Sequence, residues 1–309
     1  MLRQVLLSAS RSDKVKNLVE TAPVTRSLVH RFVAGERTFD AVRVAEHLAA
    51  QGLYASIDHL GEDTVDPARA RVTRDAYVAL LGRLDDAGLA GHAEVSVKLS
   101  AIGRYLAGDG EAVALDHVRA ICEAAKTCGT TVTLDMEDHS TTDATLAALR
   151  ELRADYPWVG AVLQAYLRRT EADCRDLAGT GSRVRLCKGA YDEPASVAYT
   201  DRADVDRNYV RCLKVLMAGG GYPMVATHDP RIIELTGMLA ARNRREPGTY
   251  EYQMLYGVRP GEQTRLAAQG ERVRVYVPYG DQWYGYLMRR LAERPANMTF
   301  FLRSLAGRG

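Results

Sequence analysis

Between Tyr286 and Glu293 the chain places a phenol, two adjacent arginines and an acid three or four residues apart: Tyr286, Arg289, Arg290 and Glu293. On a helix these share roughly one face. Two guanidiniums side by side repel unless something anionic lies between them, and a carboxylate held bidentately is the commonest small partner that fits. A solvated basic helix face explains the same residues, and the segment alone does not separate the two readings. Upstream, Arg272 to Val277 alternates basic or aromatic residues with valine, the pattern of a strand. Pro278, Tyr279 and Gly280 are expected to break that strand, Asp281 to cap a helix, and Pro295 to end it. The unit reads as strand, short loop, helix.

The same unit recurs upstream. From Leu53 onward short apolar runs alternate with amphipathic stretches: residues 53–58, 94–100, 131–136, 160–167, 183–187, 223–228, 250–256 and 272–277. Alternating strand and helix means a parallel sheet, and about eight such units favour a closed barrel over an open sheet. No GxGxxG follows any of these runs, which disfavours a dinucleotide-binding open sheet. The expected fold is α/β, a (βα)8 TIM barrel over residues 51–309, with residues 1–50 forming an N-terminal helical cap.

In such a barrel chemistry occurs where the strands end at their carboxyl side. Those ends supply Asp58 and His59, Lys98 and Ser100, then Asp135, Glu137 and Asp138. Further along they supply Gln164, Arg185, Lys188, Thr227, His228, Asp229, Gln253, Tyr256, Tyr276 and Tyr279. Each has an ordinary structural explanation, but together they describe a polar floor under one opening. Lys98 and Asp135 come from neighbouring strands, and a lysine inside a barrel mouth needs a carboxylate near it, so the two are expected to pair. Asp229 and Pro230 put an N-cap and an N1 proline directly after a strand, which aims helix amides at the mouth where phosphate is favoured. DMEDH (135–139) and THD (227–229) mix histidine with carboxylates, yet no HxH or HExxH pair appears, and no metal is expected.

The chain has 309 residues, 47% hydrophobic and 26% charged, with a formal charge of +2. That balance is too close to neutral for a nucleic-acid binder. The five cysteines form no CxxC pair and read as reduced thiols, which points to the cytoplasm. No apolar stretch is long enough for a secretion signal or a membrane span, although peripheral contact with the inner face of a membrane stays open.

The segments SVKLSAIG, TLDMED, RLCKGAY, VATHDP, EYQMLYG and YVPYG…YLMRRLAERPAN resemble, in the same order, those of the flavin-dependent proline dehydrogenases. The resemblance runs from about Leu53 to Asn297. It implies a distorted (βα)8 barrel that oxidises L-proline to Δ1-pyrroline-5-carboxylate with FAD and passes the electrons to a membrane quinone. Bifunctional relatives carry a second, NAD-dependent domain, and the chain resembles the single-function form, with a separate pyrroline-5-carboxylate dehydrogenase as pathway partner. The loop between Tyr276 and Arg289 is shorter than in some bifunctional members, which bears on how the site closes.

By that resemblance Arg289 and Arg290 bind the proline carboxylate, while Glu293 holds the arginine and lysine side chains. Lys98 pairs with Glu293 or lies under the substrate beside Asp135, and Tyr191, Leu255, Tyr276 and Tyr286 complete the substrate pocket. Arg185 falls by the flavin edge, with Asp135, Met136, Gln164 and Gln253 around the ring system. Lys188, Gly189, Ala190, Thr227 and His228 follow the cofactor's ribityl and phosphate chain. From the residues alone two rivals stand: a lyase or aldolase barrel using Lys98 or Lys188 as a Schiff base, and a barrel that only binds an amino acid or a protein.

Overall fold

The structure is a computed structural model and describes residues 29–293; the helical expectation for residues 15–23, the stop at Pro295 and the side chain of Glu293 lie outside the described residues. A helical turn at 29–32 leads into helix α1 (Thr38–Ala49), where Ala41, Val44, Ala45 and Leu48 recur at helical spacing and are buried. Eight strands follow: β1 (Tyr54–His59), β2 (Ala93–Val97), β3 (Val132–Leu134), β4 (Gly160–Gln164), β5 (Arg183–Cys187), β6 (Tyr222–Ala226), β7 (Glu251–Leu255) and β8 (Val273–Tyr279). All pair in parallel with their sequence neighbours, and β8 closes on β1, so the sheet is a complete (βα)8 barrel.

Between and after the strands run α2 (Pro67–Asp86), α3 (Gly110–Cys128), α4 (Thr142–Asp155), α5 (Thr170–Leu177), α6 (Arg202–Ala218), α7 (Pro230–Arg242), α8 (Pro260–Ala268) and α9 (Trp283–Glu293). Two of them start on the expected device. Asp66 accepts from the Ala68 amide and Asp229 from the Arg231 amide, each followed by proline at the first helical position.

Side-chain alternation along the strands sorts residues in an unusual way. The positions facing the helices are apolar, such as Ala55 and Ile57, Val95 and Val97, Val184 and Leu186, and Val273, Val275 and Val277, and all are buried. The alternate positions meet each other across the barrel and are polar: Ser56 and Asp58, Glu94 and Ser96, Thr133, Arg183 and Arg185, Glu251 and Gln253, Arg274 and Tyr276. The interior of the barrel is therefore an ion network. Arg183, Arg185, Arg274 and Lys98 face Asp58, Glu94, Asp135 and Glu251, four cations against four carboxylates. Equal charge of the two signs is what makes such burial tolerable, since an unmatched ion there costs several kcal/mol, roughly 3–5 when one partner is removed.

Pro278 does not break β8 as expected; the strand runs on to Tyr279, paired with Asp58 and His59 of β1. On its other side β7 has already ended, and the Pro278 carbonyl accepts from the Ala34 amide at 2.9 Å, so the missing proline N–H falls where no strand needs it. In the other direction, several expected strands stop earlier. Lys98 to Ser100, Asp135, Met136, Thr227 and His228 stand beyond the last ladder residues, in the loops of the mouth.

Helix α9 is fastened over that mouth by a small apolar cluster of its own. Trp283, Tyr284, Leu287 and Met288 pack with Val29, Phe32, Val33 and Leu60. This cluster turns the other face of α9, with Arg289, toward the strand ends.

Candidate active site

At the centre of the floor the Lys98 ammonium donates to Asp58 at 2.6 Å and lies 3.6 Å from Asp135. The sequence expectation paired Lys98 with Asp135; the nearer partner is Asp58, whose other oxygen accepts from the Tyr77 hydroxyl of α2. That one hydroxyl hydrogen is shared with the nearer Ser96 carbonyl, 2.8 Å against 3.2 Å to Asp58, and the phenol oxygen accepts from the His59 amide, which pins the ends of β1 and β2 together. Burial opposes the charge on Lys98, but Asp58 and Asp135 outweigh it and hold the ammonium well above the usual lysine range. A Schiff-base lysine must give up that proton, so the geometry disfavours the lyase reading at Lys98. Lys188 is likewise occupied, by Asp206 of α6 and the capping Asp229.

Asp135 is the hinge of the cluster. It accepts from Arg185 at 2.7 Å, from Ser96 at 2.7 Å and from the Tyr276 hydroxyl at 2.7 Å. Burial alone would raise its pKa and favour the neutral form; Arg185 and then Lys98 outweigh this and hold the carboxyl below the ordinary carboxylate range, so it stays ionised. Tyr276 also lies 3.3 Å from Lys98, and its ring is stacked by the Arg185 guanidinium at 5.3 Å. Its phenol is held well above the usual range, by burial first and Asp135 second, so it stays protonated.

Arg185 is held from below on two sides. Its Nη2 donates to Ser56 at 2.9 Å, and Ser56 donates on to Glu94. Its Nε donates to the amide oxygen of Gln253, whose nitrogen donates to Glu251 at 2.6 Å, and Glu251 is itself paired with Arg274. The planar fork thus has its orientation set before any ligand arrives.

Above this floor, Arg289 meets Glu62 of the loop after β1 in a two-point ion pair at 3.0 and 2.6 Å. Burial opposes the Arg289 charge, but Glu62 and Tyr191 raise it, and the Glu62 field also reaches Lys98. A carboxylate acting on both the arginine and the lysine is the role expected of Glu293; among the described residues Glu62 fills it. Arg290 stacks on the ring of Tyr286 at 5.2 Å, and Tyr286 is buried. Leu255 is partly buried at the end of β7. Its amide donates to His228 Nε2 at 2.9 Å, which leaves the proton of a neutral His228 on Nδ1.

On the side of β4 to β6, three observations fit a large anionic cofactor. Gln164 is buried, yet its amide oxygen has no hydrogen-bond partner, an orphan that a ligand in the mouth would satisfy. Gly189 has φ +110, and a Cβ there would meet the Tyr166 ring at 2.4 Å, so only glycine lets the backbone after Lys188 pass this close to that ring. Lys188 stands beside the start of α7, next to Thr227, which accepts from the Asp229 amide at 3.1 Å. Met136 is buried beside Asp135, and Ala190 is half-buried.

Glu62 and Ser96 escaped the sequence reading as site residues. Ser96 is a small polar residue between two valines of β2, and only the closed barrel brings it onto Asp135 and Arg185. Glu62 carried one usable signal: it lies in a strand-to-helix loop, the face where such barrels keep their chemistry.

A family model described as proline dehydrogenase matches residues 41–303. The chain is 39% identical over 305 residues to proline dehydrogenase 1 of Bacillus subtilis, covering 99% of each, and 38% identical over 307 residues to proline dehydrogenase of Deinococcus radiodurans, covering 99% of this chain and 98% of the other. Among solved structures it resembles proline utilization A from Bdellovibrio bacteriovorus, inactivated by N-propargylglycine, with a TM-score of 0.81, 25% identity and 92% of this chain covered. The chain spans about a third, 34%, of that longer protein. The chain belongs to the proline dehydrogenase family.

Proposed function

We propose that this chain oxidises L-proline to Δ1-pyrroline-5-carboxylate with FAD held in the barrel mouth and passes the electrons to a membrane quinone. The observation that carries the reading is the juxtaposition of a carboxylate-binding arginine over the floor of Lys98, Asp135, Arg185 and Tyr276, in a member of this family. When bound, FAD supplies the two-electron acceptor for a hydride.

The side chains supply position and charge. Arg289, with Arg290 beside it, takes the proline carboxylate, and fixing that end of a small rigid ring fixes its C5 at the other. Tyr276, Leu255, Tyr191 and Tyr286 bound the ring on its apolar sides. Lys98 stays an ammonium, and Asp135 is made a weak base by Arg185 and Lys98 and already accepts from Arg185, Ser96 and Tyr276, so neither is set to take the amine proton of proline in this arrangement; solvent at the mouth can. Arg185, its plane locked by Gln253, Ser56 and Asp135, offers a fixed positive charge where negative charge develops. Gln164, Met136 and Gln253 line the ring system of the cofactor. Lys188, Gly189, Ala190, Thr227 and His228 hold its phosphate chain.

The reading extends to the cell. The enzyme works on the cytoplasmic side, touching the membrane surface to reach its quinone, and a separate pyrroline-5-carboxylate dehydrogenase consumes the product. No helix among the described residues is long and apolar enough to cross a membrane. The deciding experiment is anaerobic addition of proline to purified protein: yellow protein whose flavin absorbance bleaches supports the reading, and colourless protein, or flavin that proline leaves oxidised, overturns it.

A further inference from the structure

The carboxylate of Glu193 joins three loops of the barrel mouth. Glu193 lies between β5 and α6, two residues after Tyr191; His139 lies between β3 and α4, and Tyr166 between β4 and α5. The Glu193 side chain is only 3% exposed. One of its oxygens accepts from the Tyr166 hydroxyl at 3.0 Å and from the His139 backbone amide at 2.9 Å. The other meets His139 Nδ1 in a short contact; an ionised carboxylate only accepts, so Nδ1 carries the proton.

Tyr166 closes the circle. Its amide donates to the Lys188 carbonyl at 2.8 Å, and its ring lies against Gly189 so closely that no Cβ fits between them. The segment Lys188 to Tyr191 is therefore gripped at its start by the backbone and ring of Tyr166 and just past its end by Glu193, and Glu193 is bound to the hydroxyl of the same Tyr166. A buried carboxylate with both oxygens engaged is rigid, because any shift leaves a charge unsolvated.

We propose that Glu193 is a positioning residue: by clasping Tyr166 and His139 it fixes the path of Lys188 to Tyr191, which presents Gly189 to the cofactor and Tyr191 to the substrate, and so couples cofactor retention to proline affinity. This rests on the flavin and proline assignment made above. Sub-ångström placement of such a segment matters because misplacement of about 1 Å can cost about a hundredfold in rate.

The test compares Glu193→Ala, Glu193→Gln and Tyr166→Phe by three measurements: KM and kcat for proline, flavin retained through gel filtration, and the rate of tryptic cleavage after Lys188 in flavin-stripped protein. Glu193→Ala is expected to raise KM about tenfold, the equivalent of one lost charge-assisted hydrogen bond, to shed flavin and to speed cleavage. Glu193→Gln keeps an oxygen for Tyr166 and for the His139 amide and returns all three toward wild type. Lower thermal stability with KM, flavin retention and cleavage unchanged would mean a merely structural carboxylate and overturns the proposal. If Glu193→Ala does not fold, Tyr166→Phe decides: it keeps the ring against Gly189 and removes only the hydroxyl, so a shift in the same three readouts supports the clasp and no shift in any overturns it. Should proline fail to bleach the wild-type flavin, the functional assignment falls, and the cleavage rate alone decides whether the clasp holds the segment.

Discussion

Glu62 and Arg289 face each other edge to edge across the barrel mouth, with both carboxylate oxygens on the guanidinium at 3.0 and 2.6 Å. Each side chain is about a quarter exposed, 25% and 22%, so the pair can part without unfolding anything. On the proposed assignment that edge of Arg289 is the one the proline carboxylate takes, so Glu62 is expected to compete with proline for it and, while proline is absent, to keep the guanidinium aimed at the mouth.

Removing the arginine tests this relationship. Arg289→Met is expected to raise KM for proline by roughly tenfold to a hundredfold with flavin still bound, since a charge-assisted hydrogen bond contributes about 1.5–3 kcal/mol. Glu62→Gln is expected to shift KM in the wild-type background and to have no further effect on top of Arg289→Met. A double-mutant cycle on kcat/KM measures the coupling; strictly additive effects would show that Glu62 acts on something other than Arg289.

Arg185 binds Asp135, Ser96, Ser56 and Gln253 at once. Arg185→Ala strands the buried Asp135 and Glu94 with fewer cations, so about 3–5 kcal/mol of stability should be lost, together with flavin retention or the rate of flavin reduction. Denaturant melts and stopped-flow reduction check both. Full flavin occupancy with wild-type reduction kinetics would count against its place at the flavin edge.

Tyr276 offers a test of specificity. Its hydroxyl is committed to Asp135 at 2.7 Å, so the face it shows a substrate is the ring, with no partner there for an added hydroxyl. Tyr276→Ser should raise KM for proline and narrow the preference for proline over 4-hydroxyproline in kcat/KM, whereas Tyr276→Phe should keep that preference. One apolar wall rejects such an analogue only modestly, about a hundredfold at most. A ratio within error of wild type in folded, yellow Tyr276→Ser would sink the idea.

His59 gives a dependence on pH. Burial lowers the pKa of His59 below the ordinary histidine value of 6.5, with Asp58 opposing, while its ring packs edge-on against Tyr279 at 4.9 Å. The unfolded chain then takes up the proton before the folded one does. The stability this provides is fully present above pH 6.5 and is lost as pH falls through the lowered folded value. His59→Phe keeps an aromatic ring without the titration, so the fall in Tm between about pH 7.5 and about pH 5.5 should be smaller than in wild type. An equal fall in both proteins would remove His59 from the acid response.

The local pattern of the chain determined much of this protein. Apolar runs spaced to leave a helix in every gap dictate strand and helix in alternation, and that periodicity is a property of neighbouring residues. The barrel and the strand ends that carry Lys98, Asp135, Arg185, Gln253 and Tyr276 follow from it. So does the N-cap at Asp229, because Asp followed by Pro makes its own helix start.

The expected pair of Lys98 and Asp135 forms, but the order of partners across the barrel was not available from the sequence. Which carboxylate sits closest to Lys98 depends on the stagger of β1, β2 and β3, and that stagger puts Asp58 at 2.6 Å and Asp135 at 3.6 Å. Pro278 reads as a strand breaker in any local window, and it is tolerated because β7 has ended beside it and Ala34 fills the gap. Glu62 and Glu193 lie in loops with no period to betray them. Their roles come from the closure of the barrel, which brings residues separated by 227 and by 54 positions into hydrogen-bond contact. Contacts of that kind are set by the path of the whole chain, because only the closed sheet fixes where each loop stands relative to the next.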